Sequence, residues 1–122
     1  MDRYALSMRP EFARVSMSPR EREIRARAAQ LLSQAGLLHG SWIDRERICG
    51  RASCRCATPG GAKHPATYVY RQQEGKLRQL YVSIKQRGTV QRWLRQDREL
   101  RELLEELWEI HWQRVRAGEA EG

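Results

Sequence analysis

Three cysteines and a histidine fall within one sixteen-residue stretch, CGRASCRCATPGGAKH, spaced Cys49-x4-Cys54-x-Cys56-x7-His64. Thiolates and imidazoles are the ligands of a tetrahedral zinc ion, and a Cys3His set is a standard structural combination. Gly50, Gly60 and Gly61 would let a short loop bend around an ion. Zn²⁺ is therefore the cofactor expected here, with four protein ligands leaving no open position for a substrate. That makes the site structural, and the protein is not expected to be an enzyme or to take a small-molecule substrate. The competing reading makes Cys49 a buried strand thiol, Cys54 and Cys56 loop thiols, and His64 a turn residue before Pro65. His39 is the other candidate for the fourth position, and His111 falls in a helical segment far away in sequence. A thiol enzyme fits less well, because three clustered cysteines at ligand spacing suit a metal better than a lone nucleophile.

The charge around this loop is uneven. Residues 45–95 hold twelve Lys/Arg against Glu46 and Glu74, a net +10, whereas the whole chain of 122 residues is +8. A basic block in an otherwise nearly neutral chain is the footprint of a polyanion binder. Codon bias can account for arginine in place of lysine, but not for the missing acids. Three thiolates and Zn²⁺ would together carry about −1, which Arg47, Arg51, Arg55 and Lys63 would more than offset; charge compensation is the plainer role for these four.

Elements must position the loop. Ser18-Pro19-x-Glu21 reads as a capping box with proline at the first helical position. Ile24, Ala28, Leu31, Ala35 and Leu38 then recur at helical spacing, with Gly36 or Gly40 as the stop. SWIDRERI (41–48) reads as a strand running into Cys49. ATYVYRQQEGKLRQLYVSI (66–84) reads as a β-hairpin turning at Glu74-Gly75. That register places Val69 opposite Leu80, Thr67 opposite Val82 and Arg71 opposite Arg78, with Tyr68, Tyr70, Gln79 and Tyr81 on the other face. A helix follows from about 89 to 117. Val90, Trp93, Leu100, Leu104 and Leu107 form its stripe, widened by Leu103, Trp108, Ile110 and Trp112. Its acidic middle complements a basic first helix. The expected fold is α+β: an N-terminal helix, a small, about three-stranded antiparallel sheet with a zinc loop, and a long C-terminal helix packed on the first. Residues 1–17 are expected as a flexible tail, 18–117 as one zinc-stabilised domain, and 118–122 as a frayed end. So thin a core gains from a metal staple.

The run CGRASCRC…H, the hairpin YVYRQQEGKLRQLYVS and the helix VQRWLRQDRELRELLEEL together resemble a family of short bacterial proteins of unknown function. That family has a Cys-Gly-x3-Cys-x-Cys…His loop, an aromatic hairpin and a Leu/Glu-rich helix, often encoded near mobile-element genes. The resemblance covers roughly residues 20–112. It implies that His64 belongs with the cysteines, and that the protein accompanies a mobile element. The chain departs from the pattern after the histidine, where HPATYVY replaces His-Gly-Pro.

Two functions follow as expectations. The first is nucleic-acid binding, with DNA the expected polymer, through Arg51, Arg55, Lys63, Arg71, Lys76 and Arg78 with Tyr68 and Tyr70. An Arg71–Arg78 cross-strand pair is unfavourable unless an anion lies between them, and a phosphate would supply one. Tyr81 is expected to pack under a helix. The second is protein interaction or homodimerisation through Trp108 and Trp112 on the long helix, without nucleic acid; the plainer role for these tryptophans is to close the domain's own core. No segment has the length and apolarity of a membrane span, and the start of the chain lacks a signal-like apolar run. The protein is therefore expected in the cytoplasm, where thiols stay reduced.

Overall fold

The computed structural model describes residues 17–119. The expected tail lies outside these residues apart from Met17, as do residues 120–122 of the expected frayed end. The element order is α1 (Pro19–Gln34), β1 (Ser41–Arg47), a 3-10 turn (Arg55–Ala57), β2 (His64–Gln73), β3 (Lys76–Val82), a second 3-10 turn (Ile84–Gln86) and α2 (Arg87–Arg116). This is the α+β architecture expected: a helix, a three-stranded antiparallel sheet and a long C-terminal helix. No helix among the described residues is long and apolar enough to cross a membrane. Two compact units make up the described chain, residues 17–35 with 99–119, and residues 36–98.

In the first unit, Ser18 caps α1 by accepting the Glu21 amide at 3.1 Å, and Pro19 opens the helix. Ile24, Ala28 and Leu31 bury against Leu100 and Leu103, with Leu104, Leu107 and Ile110 half-buried around them. Removing an Ile- or Leu-sized side chain from water contributes about 1.5–3 kcal/mol, so these few residues dominate the pairing of the helices. The expected charge complementarity is present: Arg27 donates to Glu99 at 2.6 and 2.9 Å, and Arg20 pairs with Glu106. The capping box is realised differently. The Glu21 carboxylate is fully buried and accepts two bonds from Arg114, at 3.1 and 2.5 Å. A buried carboxylate is tolerated only when paired, so Glu21 engages a cation 93 residues away and not its own helix cap. Arg114 holds its carboxyl below the usual range, and burial opposes that shift.

In the second unit the sheet order is β1-β2-β3. The β2–β3 register matches expectation, with Val69 opposite Leu80 and Arg71 opposite Arg78. Glu74 (φ 53°) and Gly75 (φ 76°) both take positive φ at the turn, as a tight two-residue hairpin turn demands. One sheet face buries Val69 and Val82 against Leu94, with Leu38, Trp42 and Val90 around them. The Thr67 hydroxyl, also buried, donates to Asp44 at 2.7 Å. Side chains alternate across a strand, so Tyr68, Tyr70 and Tyr81 face the opposite way.

Candidate metal centre and basic sheet

Antiparallel pairing holds the ends of β1 and β2 together, with Arg47 opposite His64. Cys49 follows β1 by two residues, and His64 is the first residue of β2. The strands thus deliver one ligand each. The intervening loop is wound by short backbone bonds: the Cys54 amide to Arg51 O (3.0 Å), Ala57 to Cys54 O (3.1 Å) and Gly61 to Thr58 O (3.0 Å). Cys54 precedes the 3-10 turn and Cys56 lies within it. Gly61 is dictated by close approach, since a Cβ there would stand 1.8 Å from the Arg55 carbonyl oxygen.

The ligand atoms of Cys49, Cys54, Cys56 and His64 all lie within 4.8 Å of one another. Cys49 and Cys56 Sγ are 3.6 Å apart, and Cys54 Sγ is 3.1 Å from His64 Nε2. A tetrahedral ion with bonds of about 2.3 Å to sulfur needs sulfurs about 3.8 Å apart, close to the Cys49–Cys56 separation, while the Cys54–His64 pair would have to part slightly to admit it. Cys56 is fully buried, and its sulfur accepts the Cys49 amide at 3.3 Å. Cys49, Cys54 and His64 border a shallow depression with Arg51 and Ser53. The four expected ligands therefore form one candidate metal site. His39 is not among them, its Nδ1 lying 3.4 Å from Asp97. HPATYVY runs straight from His64 into the strand, because a residue before proline favours extended backbone.

The Cys54 and Cys56 thiols are pushed in opposite directions. The Cys56 amide, together with the Cys56 and Cys49 side chains, holds the Cys54 thiol below its usual range. Cys56 accepts the Cys49 amide, which favours a thiolate, but burial and the other two thiols outweigh it and push Cys56 up. A cation among the three sulfurs removes that opposition. Lys63 Nζ donates to the Cys56 carbonyl at 3.0 Å and so tethers the loop.

The residues singled out for nucleic acid are not on one surface. Arg51 and Arg55 are exposed on the metal loop, and Lys63 is held against it. Arg71, Arg78 and Lys76 share the sheet face of Val69, at its open end beyond the covered core, while Tyr68 and Tyr70 lie on the reverse face. Arg71 and Arg78 do face each other. Both donate to the Gln73 amide oxygen, at 3.0 and 2.6 Å. Tyr81 is half-exposed on the open face, not packed under a helix. Trp108 and Trp112 are 60% and 64% exposed and do not close the core.

A family model described as a domain of unknown function, DUF6788, matches residues 18–92. The chain belongs to this family. No curated protein and no solved structure matches it. The matched stretch of the DUF6788 domain contains all four cluster residues and the whole sheet, and it ends within α2, before Trp108.

The sheet of this DUF6788 chain also assembles a group that sequence reasoning missed. On the open face the Arg45 guanidinium lies 5.8 Å from the Tyr68 ring centre, and Arg47 lies 5.2 Å from that of Tyr81. Tyr68 and Tyr81 meet edge to face at 5.8 Å. The Tyr68 hydroxyl, foremost, raises the Arg47 pKa above its ordinary value. The available signal was the alternation Ile43, Arg45, Arg47 in β1, which puts both arginines on one face once the strand is paired.

Proposed function

We propose that this DUF6788 protein is a zinc-stapled module that binds single-stranded nucleic acid across the open face of its sheet. The observation that carries this reading is the pair of cation–π contacts, Arg45 with Tyr68 and Arg47 with Tyr81, inside a segment of net charge +10. Exposed tyrosines and flat guanidinium planes are the surfaces on which unpaired bases stack, and arginines beside them take up phosphates. Duplex bases are already stacked and offer no such partner. Arg51, Arg55 and Lys63 on the loop then extend the positive surface along which a strand's backbone runs, whereas Arg71, Lys76 and Arg78 lie on the opposite face and are left out of this site. Tyr70 completes the aromatic row on β2.

Zinc is the metal proposed, because three sulfurs and one imidazole are a closed structural set for that ion. Its part is mechanical. By clamping the β1 and β2 ends it fixes the pairing that aligns Arg45 and Arg47 with the tyrosines. Four protein ligands saturate the ion, so the protein is proposed as a binder and not an enzyme, working in the reducing cytoplasm, with DNA the first polymer to test.

The test is fluorescence anisotropy with labelled single-stranded DNA, single-stranded RNA and a duplex of random sequence. Contact with about four phosphates predicts roughly a fifty-fold loss of single-strand affinity between 50 and 200 mM salt. Substituting Arg45→Ala and Arg47→Ala together should weaken binding and flatten that dependence. Absence of binding at low salt, or binding indifferent to salt, overturns the reading; a preference for duplex overturns the stacking mode.

A further inference from the structure

The C-terminal half of α2 carries an apolar stripe that the core does not use. Trp108, Trp112 and Val115 are 60%, 64% and 65% exposed. At 3.6 residues per turn, residues 105, 108, 112 and 115 fall on one side of the helix, while Leu100, Leu103, Leu107 and Ile110 meet α1 from another. Two large indoles and a valine in one row, left to water, are the signature of a surface that meets a partner. Glu105 flanks the row at one end and Arg116 at the other, and neither is ion-paired among the described residues.

The order of these charges identifies the partner. Running along α2 the stripe reads acid, Trp, Trp, Val, base. A copy laid antiparallel about a two-fold axis at residue 110 brings Trp108 against the second copy's Trp112, and Glu105 against the second copy's Val115 and Arg116. A parallel copy would set Glu105 on Glu105 and Arg116 on Arg116. The stripe is thus its own complement in one orientation only, and in a two-fold interface each contact is made twice. We infer that this chain self-associates as an antiparallel dimer through the Glu105–Arg116 stripe of α2. None of the stripe residues belongs to the sheet or the metal loop, so the inference does not depend on nucleic-acid binding.

The stripe spans about 17 Å of helix, well short of a standard-size interface. A contact this small fits a weak, concentration-dependent dimer. Sedimentation equilibrium across roughly 1–300 µM protein should show mass rising from one chain toward two. Trp112→Ala removes an exposed side chain, so it should leave the thermal melt unchanged while weakening association at least tenfold. Glu105→Arg and Arg116→Glu, singly, each turn two attractive pairs into repulsive ones and should weaken it by about tenfold; the double exchange should restore wild-type association. A chain that stays monomeric throughout overturns the inference. So does a double exchange no better than the single ones, which would assign the tryptophans to a different partner or a different pairing.

Discussion

The buried pair between Glu21 and Arg114 gives the sharpest stability prediction. Glu21→Gln keeps the shape of the side chain and removes its charge. Glu21 is fully buried and takes two bonds from Arg114 and one from Arg25 at 3.4 Å. Glutamine retains a single acceptor, so at least one guanidinium bond is lost and Arg114 is left with no fully charged partner in the interior. Removing one member of such a pair costs about 3 kcal/mol, or a fall in melting temperature of roughly 15 °C for a chain of this size. Arg114→Met should cost more, because the carboxylate left behind is the more deeply buried group. Changing both residues to Met should recover most of the loss, since no lone charge remains. The pH dependence has a definite sign. The native Glu21 pKa lies below its unfolded value. The pair's contribution is therefore complete above the ordinary glutamate pKa of about 4.3 and is lost as pH falls through the lower native value. Melts monitored at 222 nm should show a constant wild-type-to-variant gap from neutral pH down to about 5, narrowing below about 4. Equal melting of the two proteins at neutral pH, or a gap unaltered in strong acid, would refute the reasoning.

Other outcomes follow from local geometry. Gly61→Ala places a methyl against the Arg55 carbonyl, so the loop must open; metal affinity in competition with a chromophoric chelator should fall by about 10–100-fold, while Gly88→Ala, where a Cβ meets open space, should leave it unchanged. Glu74→Asn relieves a non-glycine residue at φ 53° and makes the favoured Asn-Gly hairpin turn; denaturant titration should show about 0.5–1 kcal/mol of added stability.

What was legible in the sequence followed from short-range rules. The hairpin could be read because its turn has two residues and its strands alternate, which together fix the register. The four candidate ligands could be read because few residue types hold a metal and all four lie in one loop. Grouping Tyr68 and Tyr70 with Arg71 and Arg78 ignored that same alternation, and the strand pleat separates them onto two faces. Arg45 and Arg47 were hidden for a different reason. Their neighbours Tyr68 and Tyr81 are set by the β1–β2 register, which no turn specifies; it depends on strands joined across the metal loop. Glu21 was read as a local cap because its partner lies on the far helix, and the bridging of Arg71 and Arg78 by Gln73 needed side-chain positions.

An ion held by Cys49, Cys54, Cys56 and His64 is the staple on which the proposed sheet surface depends. Elemental analysis of protein purified under reducing conditions, paired with a thermal melt before and after chelation, tests that directly. The expected result is one zinc per chain and a large loss of sheet stability when it is stripped, reversed by adding zinc back. Protein that carries no stoichiometric metal and melts identically with and without chelator would contradict it.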